Sequence, residues 1–202
     1  MAFSVTVDLT EVTMTLAMVY AGLYWAWIAT EVTLALVMRT KRSSGEVRDR
    51  GSMLLLWVVI FAAVWVGTTP GALKGPAIFG GAPWVRTLSL VVMATGLAIR
   101  WTAILTLGRS FSVNVAIREG QTVYREGLFR FVRHPSYSGM MLIFAGVGLH
   151  TRSWMGLAVL LIPPGAALLY RIHVEERALR GAFGEEYVEY SRVTKRLVPG
   201  LY

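Results

Sequence analysis

The 202-residue chain has no cysteine and only three histidines, His134, His150 and His173. The first absence excludes a disulfide framework, thiolate zinc sites and thiol nucleophiles. The second, with no His-Glu-x-x-His run, argues against a metal-hydrolase site. Charge is scarce as well: 16% of residues are Asp, Glu, Lys or Arg against 55% apolar, and mean hydropathy is +0.55. That balance excludes a disordered chain and fits poorly with a water-soluble globule. No Gly-x-Gly-x-x-Gly follows a strand pattern, no Walker loop is present, and strand and helix patterns do not alternate, so a soluble Rossmann-type enzyme is excluded.

What the chain has in quantity is long apolar runs. Five stand out, at about Val12 to Met38, Met53 to Thr69, Val85 to Leu107, Pro135 to Leu149 and Trp154 to Ile172. Roughly 20 apolar residues cross the hydrocarbon of a bilayer, so each run is a candidate span, with the second and fourth short for the task. The expected fold is an all-α integral membrane protein of about five transmembrane helices. The first run is not expected to be a cleavable signal, because residues 1–11 carry Asp8 and Glu11 and no Lys or Arg.

Basic residues orient these spans. Arg39, Lys41, Arg42, Arg48 and Arg50 follow the first run, and Arg109, Arg118, Arg125, Arg130 and Arg133 follow the third. Arg171, Arg177, Arg180, Arg192, Lys195 and Arg196 end the fifth run and populate the tail, whereas only Lys74 and Arg152 lie on the opposite side. Arg86 and Arg100 fall inside the third run towards its ends, where snorkelling is expected. The asymmetry predicts an N-terminus outside and a C-terminus in the cytosol. It also accounts for the formal charge of +8, making anionic lipid headgroups, and not nucleic acid, the expected counterpart.

Chemistry is expected on the basic side, where residues 108–134 and 173–202 form stretches too long for simple connectors. The densest cluster is Arg133-His134-Pro135-Ser136-Tyr137-Ser138-Gly139 at the start of the fourth run. Proline suits the first turn of a helix, whose free N–H groups beside Arg133 and His134 would make an anion-binding corner. The same residues also read as a capped helix with interfacial anchors. A second cluster runs from Arg171 through Glu175 and Glu176 to Phe183-Gly184-Glu185-Glu186-Tyr187 and Tyr190. Arg171 and Glu175, four apart, share a helix face: either a surface ion pair worth little, or a cation and an anion offered to a zwitterionic ligand. Glu31, inside the first run, is either a functional intramembrane carboxylate or a snorkelling one. Pro163-Pro164 should bend the fifth helix. His150 and Arg152 are expected to cap the short turn on the far side.

At these residues the chain resembles the isoprenylcysteine carboxyl methyltransferase family, within the wider group that includes membrane phospholipid methyltransferases. The matching text is Leu107-Gly108-Arg109-Ser110-Phe111, Gln121-Thr122-Val123-Tyr124, Arg133 to Gly139, Glu175-Glu176, and Phe183 to Tyr187 with Tyr190, covering about Gly108 to Pro199. The resemblance implies a membrane enzyme that binds S-adenosylmethionine in a cytosolic pocket formed by the loop between helices 3 and 4 and by the tail. By similarity the cofactor would contact Asn114, Gln121, Thr122, Val123, Tyr124, Phe129, His134, Pro135, Ser136, Tyr137 and Glu175, and Arg171 would sit at the acceptor carboxylate. Asn114 and Phe129 are carried over on spacing. Two departures are Gln121, where the family often has His, and Val193-Thr194-Lys195-Arg196, where it has Val-Pro-Arg.

The division implied is residues 1–107 for helices 1–3, and 108–202 for a cofactor-binding half with a short helical hairpin and a cytosolic C-terminal helix. The implied acceptor is a lipid or prenylated substrate, either a small molecule or a protein C-terminus, methylated at its carboxylate. Two enzyme alternatives share parts of this reading: a phospholipid amine N-methyltransferase, which needs a base, and a sterol-type NADPH membrane reductase. A non-enzymatic membrane protein is the third.

Overall fold

A computed structural model describes residues 9–37, 46–47, 51–69, 71, 73, 75–108, 116–117 and 122–202. Five long helices occupy the apolar runs: α1 (Leu9–Val37), α2 (Gly51–Thr68), α3 (Trp84–Leu107), α4 (Pro135–His150) and α5 (Trp154–Phe183). A sixth, α6 (Glu185–Val193), follows at once. Among the described residues, strand is confined to an antiparallel pair of two-residue segments, β1 (Glu46–Val47) and β2 (Ala116–Ile117).

Among the described residues four helices, α1, α2, α3 and α5, are long and apolar enough to cross a membrane. At 16 residues, α4 is about 24 Å long at roughly 1.5 Å per residue, yet it runs the length of the bundle. At one end Trp154 N donates to Pro76 O at 3.2 Å and Ile78 N to Arg152 O at 2.9 Å, so the α2–α3 and α4–α5 connections meet there. At the other end the start of α4 meets the late turns of α5 through Tyr137 and Glu175. Ser52 at the start of α2 reaches Arg171 on α5, and Glu31 late in α1 reaches Arg100 late in α3. Each helix thus reverses the direction of the one before.

The outward faces are apolar: Met18, Trp25, Leu36, Leu54, Phe61, Trp65, Leu105 and Ile162 are all exposed. Polar hydroxyls in the helices are satisfied internally, as hydrocarbon demands, with Thr30, Thr33 and Thr95 donating to the carbonyls four residues back at 2.7, 2.7 and 2.8 Å. The core joins Trp27, Leu56, Ile60, Met93, Ile143, Phe144, Leu160 and Leu168. Helices α3 and α4 approach backbone to backbone. A Cβ on Gly96 would lie 2.7 Å from Gly139 O, and one on Gly139 would lie 2.6 Å from Gly96 O, so glycine is required at both.

The fifth helix runs longer than its apolar stretch. It continues helical through Pro163 and Pro164 and extends to Phe183, eleven residues past the apolar run. Its 30 residues span about 45 Å, against roughly 30 Å of hydrocarbon, so the last turns stand clear of the bilayer. Gly184, at φ 54°, ends α5, and α6 turns back towards the start of α4. On the far side, Arg152 does more than cap its own turn, donating to Gly81 O across the α2–α3 connection. His150 stacks on Tyr20 of α1, with ring centroids 3.4 Å apart.

Candidate active site

Three polar layers line the end of the bundle where α4 begins. The deepest is an ion pair. Arg100 Nε and Nη2 contact Glu31 Oε1 and Oε2 at 2.6 and 2.7 Å, and Arg100 Nη1 donates to Ser136 Oγ at 2.8 Å. Both charged residues are buried, so neither snorkels as the sequence suggested. Two charges in hydrocarbon persist because the two-pronged guanidinium geometry satisfies both carboxylate oxygens and the Ser136 hydroxyl takes a further donor. The close approach of α3 to α4 at Gly96 and Gly139 brings Arg100 to Ser136.

The middle layer joins α4, α5 and α2. Tyr137 Oη donates to Glu175 Oε2 at 2.8 Å. Arg171, one turn before Glu175, is buried within hydrogen-bond reach of the same phenol and donates from Nη1 to Ser52 Oγ at 2.7 Å. A cation, a carboxylate and a phenol therefore converge from two helices, with Tyr137 and Glu175 half-buried and open to the site.

The outer layer is centred on Glu176, which is buried. Its oxygens contact Arg133 Nε at 2.8 Å, His134 Nε2 at 3.4 Å, Arg196 Nη2 at 3.2 Å and Arg180 Nη2 at 3.6 Å. Backbone bonds add to this hub: Arg133 N donates to Lys195 O at 2.7 Å and His134 N to Arg196 O at 3.0 Å, pairing the tail with the segment before α4. Ser138 Oγ donates to Leu197 O at 2.6 Å, and Arg133 Nη1 to Ser191 O at 3.0 Å and to Thr194 O. Tyr190 donates to Phe129 O at 2.6 Å. Burial pushes the Tyr190 phenol up to about 12, so it stays a donor, and burial pushes Tyr187 up as well.

The sequence-expected site residues fall into four groups. Tyr137, Glu175 and Arg171 meet directly. Tyr124 and Phe129 form an edge-to-face pair with centroids 5.6 Å apart, Val123 N donates to Glu186 Oε1 at 3.3 Å, and Thr122 is exposed. His134, Pro135 and Ser136 are buried behind the site: His134 stacks on Tyr137 at 5.6 Å and faces Glu176, while Ser136 is held by Arg100. Asn114 and Gln121 lie outside the described residues. The anion corner is also smaller than expected. Tyr137 N and Ser138 N both donate to His134 O, and Pro135 has no N–H, which leaves the Ser136 amide.

Sequence reasoning singled out Glu176 without its partners, and it gave Ser52, Arg100 and Arg196 no place in the site. A signal existed for one of them: Glu31 and Arg100 are opposite charges, each about two turns from the same end of its run, where pairing is the low-energy solution in hydrocarbon. Ser52 depends on the packing of α2 against α5, and Arg196 on how the tail folds back, for which the sequence carries no periodicity.

An alternating helical bundle with an apolar outer face and a charged cluster at one mouth is the architecture of an integral membrane protein with a site at its boundary. Residues 87–181 match the model of the isoprenylcysteine carboxyl methyltransferase family. The chain is 33% identical over 129 residues to protein-S-isoprenylcysteine O-methyltransferase B of Arabidopsis thaliana, covering 57% of this chain and 60% of that relative. It is 32% identical over 127 residues to the cobalt-zinc-cadmium resistance protein CzcN of Cupriavidus metallidurans, covering 61% of this chain and 57% of that one. The fold is similar to a solved structure of the eukaryotic intramembrane Ras methyltransferase, isoprenylcysteine carboxyl methyltransferase, with TM-score 0.56 and 23% identity, covering 74% of this chain and 51% of that one. The chain thus spans a little over half the length of the relatives it matches.

Proposed function

We propose that this protein transfers a methyl group from S-adenosylmethionine to the carboxylate of a lipidic acceptor, such as a prenylated cysteine, at the cytosolic membrane face. The observation that carries the reading is the convergence of Arg171, Tyr137 and Glu175 where the bundle meets its polar cap. In this reading residues 1–107 supply helices around the acceptor and 108–202 supply the cofactor pocket. The excess of basic residues on the site side supports an N-terminus outside and a C-terminus in the cytosol.

The donor set suits the cofactor's charges. Among the described residues Glu175 Oε1 accepts no hydrogen bond, while Oε2 is fixed by Tyr137, so a carboxylate oxygen is poised for an ammonium group. Tyr124 and Phe129 offer aromatic faces, which attract a neighbouring cation. Bound there, the cofactor supplies an electrophilic methyl carbon on a sulfonium that departs as a neutral thioether.

The protein's own work is then positioning. An acceptor carboxylate is already ionised at neutral pH, so no residue has to remove a proton. Arg171 holds that carboxylate through its planar guanidinium fork, which Ser52 braces from α2. Holding the two reactants in line converts an encounter into a unimolecular step, and the apolar helices around them exclude water. The acceptor's lipid chain stays among those helices.

Titration calorimetry with S-adenosylhomocysteine, followed by an assay with a farnesylcysteine analogue, tests both halves. Saturable binding and ester formation support the proposal. Binding without turnover retains the cofactor and rejects the acceptor, and NADPH binding in its place rejects the enzyme class.

A further inference from the structure

We infer that the end of the tail, with Phe131, forms an interfacial foot that rests on anionic lipid beside the site. The tail and the segment before α4 expose Val193 at 82%, Leu201 at 78%, and Phe131, Val198 and Tyr202 at close to half. The tail pairs with the segment before α4 through Arg133 N to Lys195 O and Lys195 N to Phe131 O, and Val132 bridges Lys195, so Phe131 lies beside the strand of tail that follows Val193, while Leu201 N closes back on Val198 O. Water gives no reason to display them.

Their height in the membrane follows from the helices. Counting about 20 residues of hydrocarbon from Trp154 places the boundary near His173, one turn below Glu176. Glu176 contacts His134 and Arg196, so the segment before α4 and the paired tail lie at the level where a bilayer changes from acyl chain to headgroup. Apolar side chains there are covered by lipid.

Charge selects the kind of lipid. Glu185 and Glu186 occupy the first turn of α6, just past the end of α5, and Glu185 pairs with Arg192 at 3.6 Å. At the returning end, Lys195 and Arg130 are exposed beside the apolar group, and Arg130 lies over the Phe131 ring at 4.4 Å. Acid at the corner past α5 and base beside the exposed apolar side chains fit an anionic leaflet. The foot extends the same tail that is tied to α4 by Glu176, so lipid composition bears on how firmly the polar cap is seated.

The cysteine-free sequence makes the test direct, because one introduced cysteine is a unique label. Nitroxides at Leu201→Cys and Val193→Cys are compared with Leu105→Cys in the bundle's outer face and Glu189→Cys on α6. The protein is placed in phosphatidylcholine vesicles with and without phosphatidylserine. The foot predicts that both tail labels favour collision with oxygen over a water-soluble nickel chelate, more strongly with phosphatidylserine. Replacing Arg130 and Lys195 by Gln removes that increment, about fivefold in partitioning per charge. Nickel accessibility equal to that at Glu189→Cys in both vesicles overturns the inference. So does spin–spin broadening that rises with protein density and ignores lipid charge, which assigns the patch to a second copy. Neither readout involves methyl transfer.

Discussion

Tyr137 and Glu175, 38 residues apart in sequence, share a hydrogen bond of 2.8 Å that closes the junction of α4 and α5. One oxygen of Glu175 is thereby fixed. Glu175→Gln removes the charge while keeping the shape, and should weaken S-adenosylhomocysteine binding by about 1.5–3 kcal/mol, the worth of a hydrogen bond to a charged group. Tyr137→Phe only frees the carboxylate to rotate, so about 1 kcal/mol is expected from it. Calorimetry on detergent-purified variants reads both. Equal affinities for all three proteins would mean that the pair is structural.

Arg171 separates the two steps of the proposed reaction. Arg171→Lys keeps a positive charge and loses the planar fork that matches a carboxylate. Its expected signature is a fall in kcat/KM towards the farnesylcysteine analogue of ten- to hundredfold, about 1.5–3 kcal/mol, with S-adenosylhomocysteine affinity nearly intact. An amine acceptor has no carboxylate for Arg171 to hold, so unchanged turnover of a phospholipid amine in this variant would reassign the substrate class.

The fold was legible where hydrophobicity alone dictates structure. The apolar runs marked all five long helices to within a few residues at most ends, because burying backbone in hydrocarbon leaves helix as the low-energy choice. The end of α5 was missed because its last turns, Glu175 to Phe183, are polar, and apolar content measures membrane contact where helicity here continues past it. At the site, the meeting of Arg171, Tyr137 and Glu175 followed from their placement at adjoining helix ends. The Glu176 hub did not, since its partners Arg133 and Arg196 lie 43 and 20 residues away and are brought in by the folding back of the tail.

The buried pair of Glu31 and Arg100 should behave as a unit. Removing one partner leaves an uncompensated charge in hydrocarbon, so Glu31→Gln or Arg100→Met alone is expected to cost about 3–5 kcal/mol of stability. Removing both leaves no charge to strand, and the double variant should recover much of that loss. The thermal unfolding of the four proteins in one detergent gives the coupling. Additive losses would show that the two side chains act independently despite their 2.6 Å contact.

Helix α4 is held against α3 by the absence of two side chains. A Cβ on Gly139 would meet Gly96 O at 2.6 Å and Arg100 N at 2.7 Å, both backbone atoms that cannot rotate away. Gly139→Ala must therefore push the helices apart, at an expected cost of about 1–3 kcal/mol. Because the contact includes Arg100, the displacement also lengthens its bond to Ser136 and shifts Tyr137 one residue on, so S-adenosylhomocysteine binding should weaken together with stability. Gly22→Ala is the matched control. Nothing lies within 4 Å of its Cβ, and alanine is the better helix former by about 1 kcal/mol, so this variant should gain stability and bind normally. Loss of binding in Gly139→Ala and its retention in Gly22→Ala would tie the site to the close approach of these two helices; the opposite pattern would place the determinant of binding elsewhere.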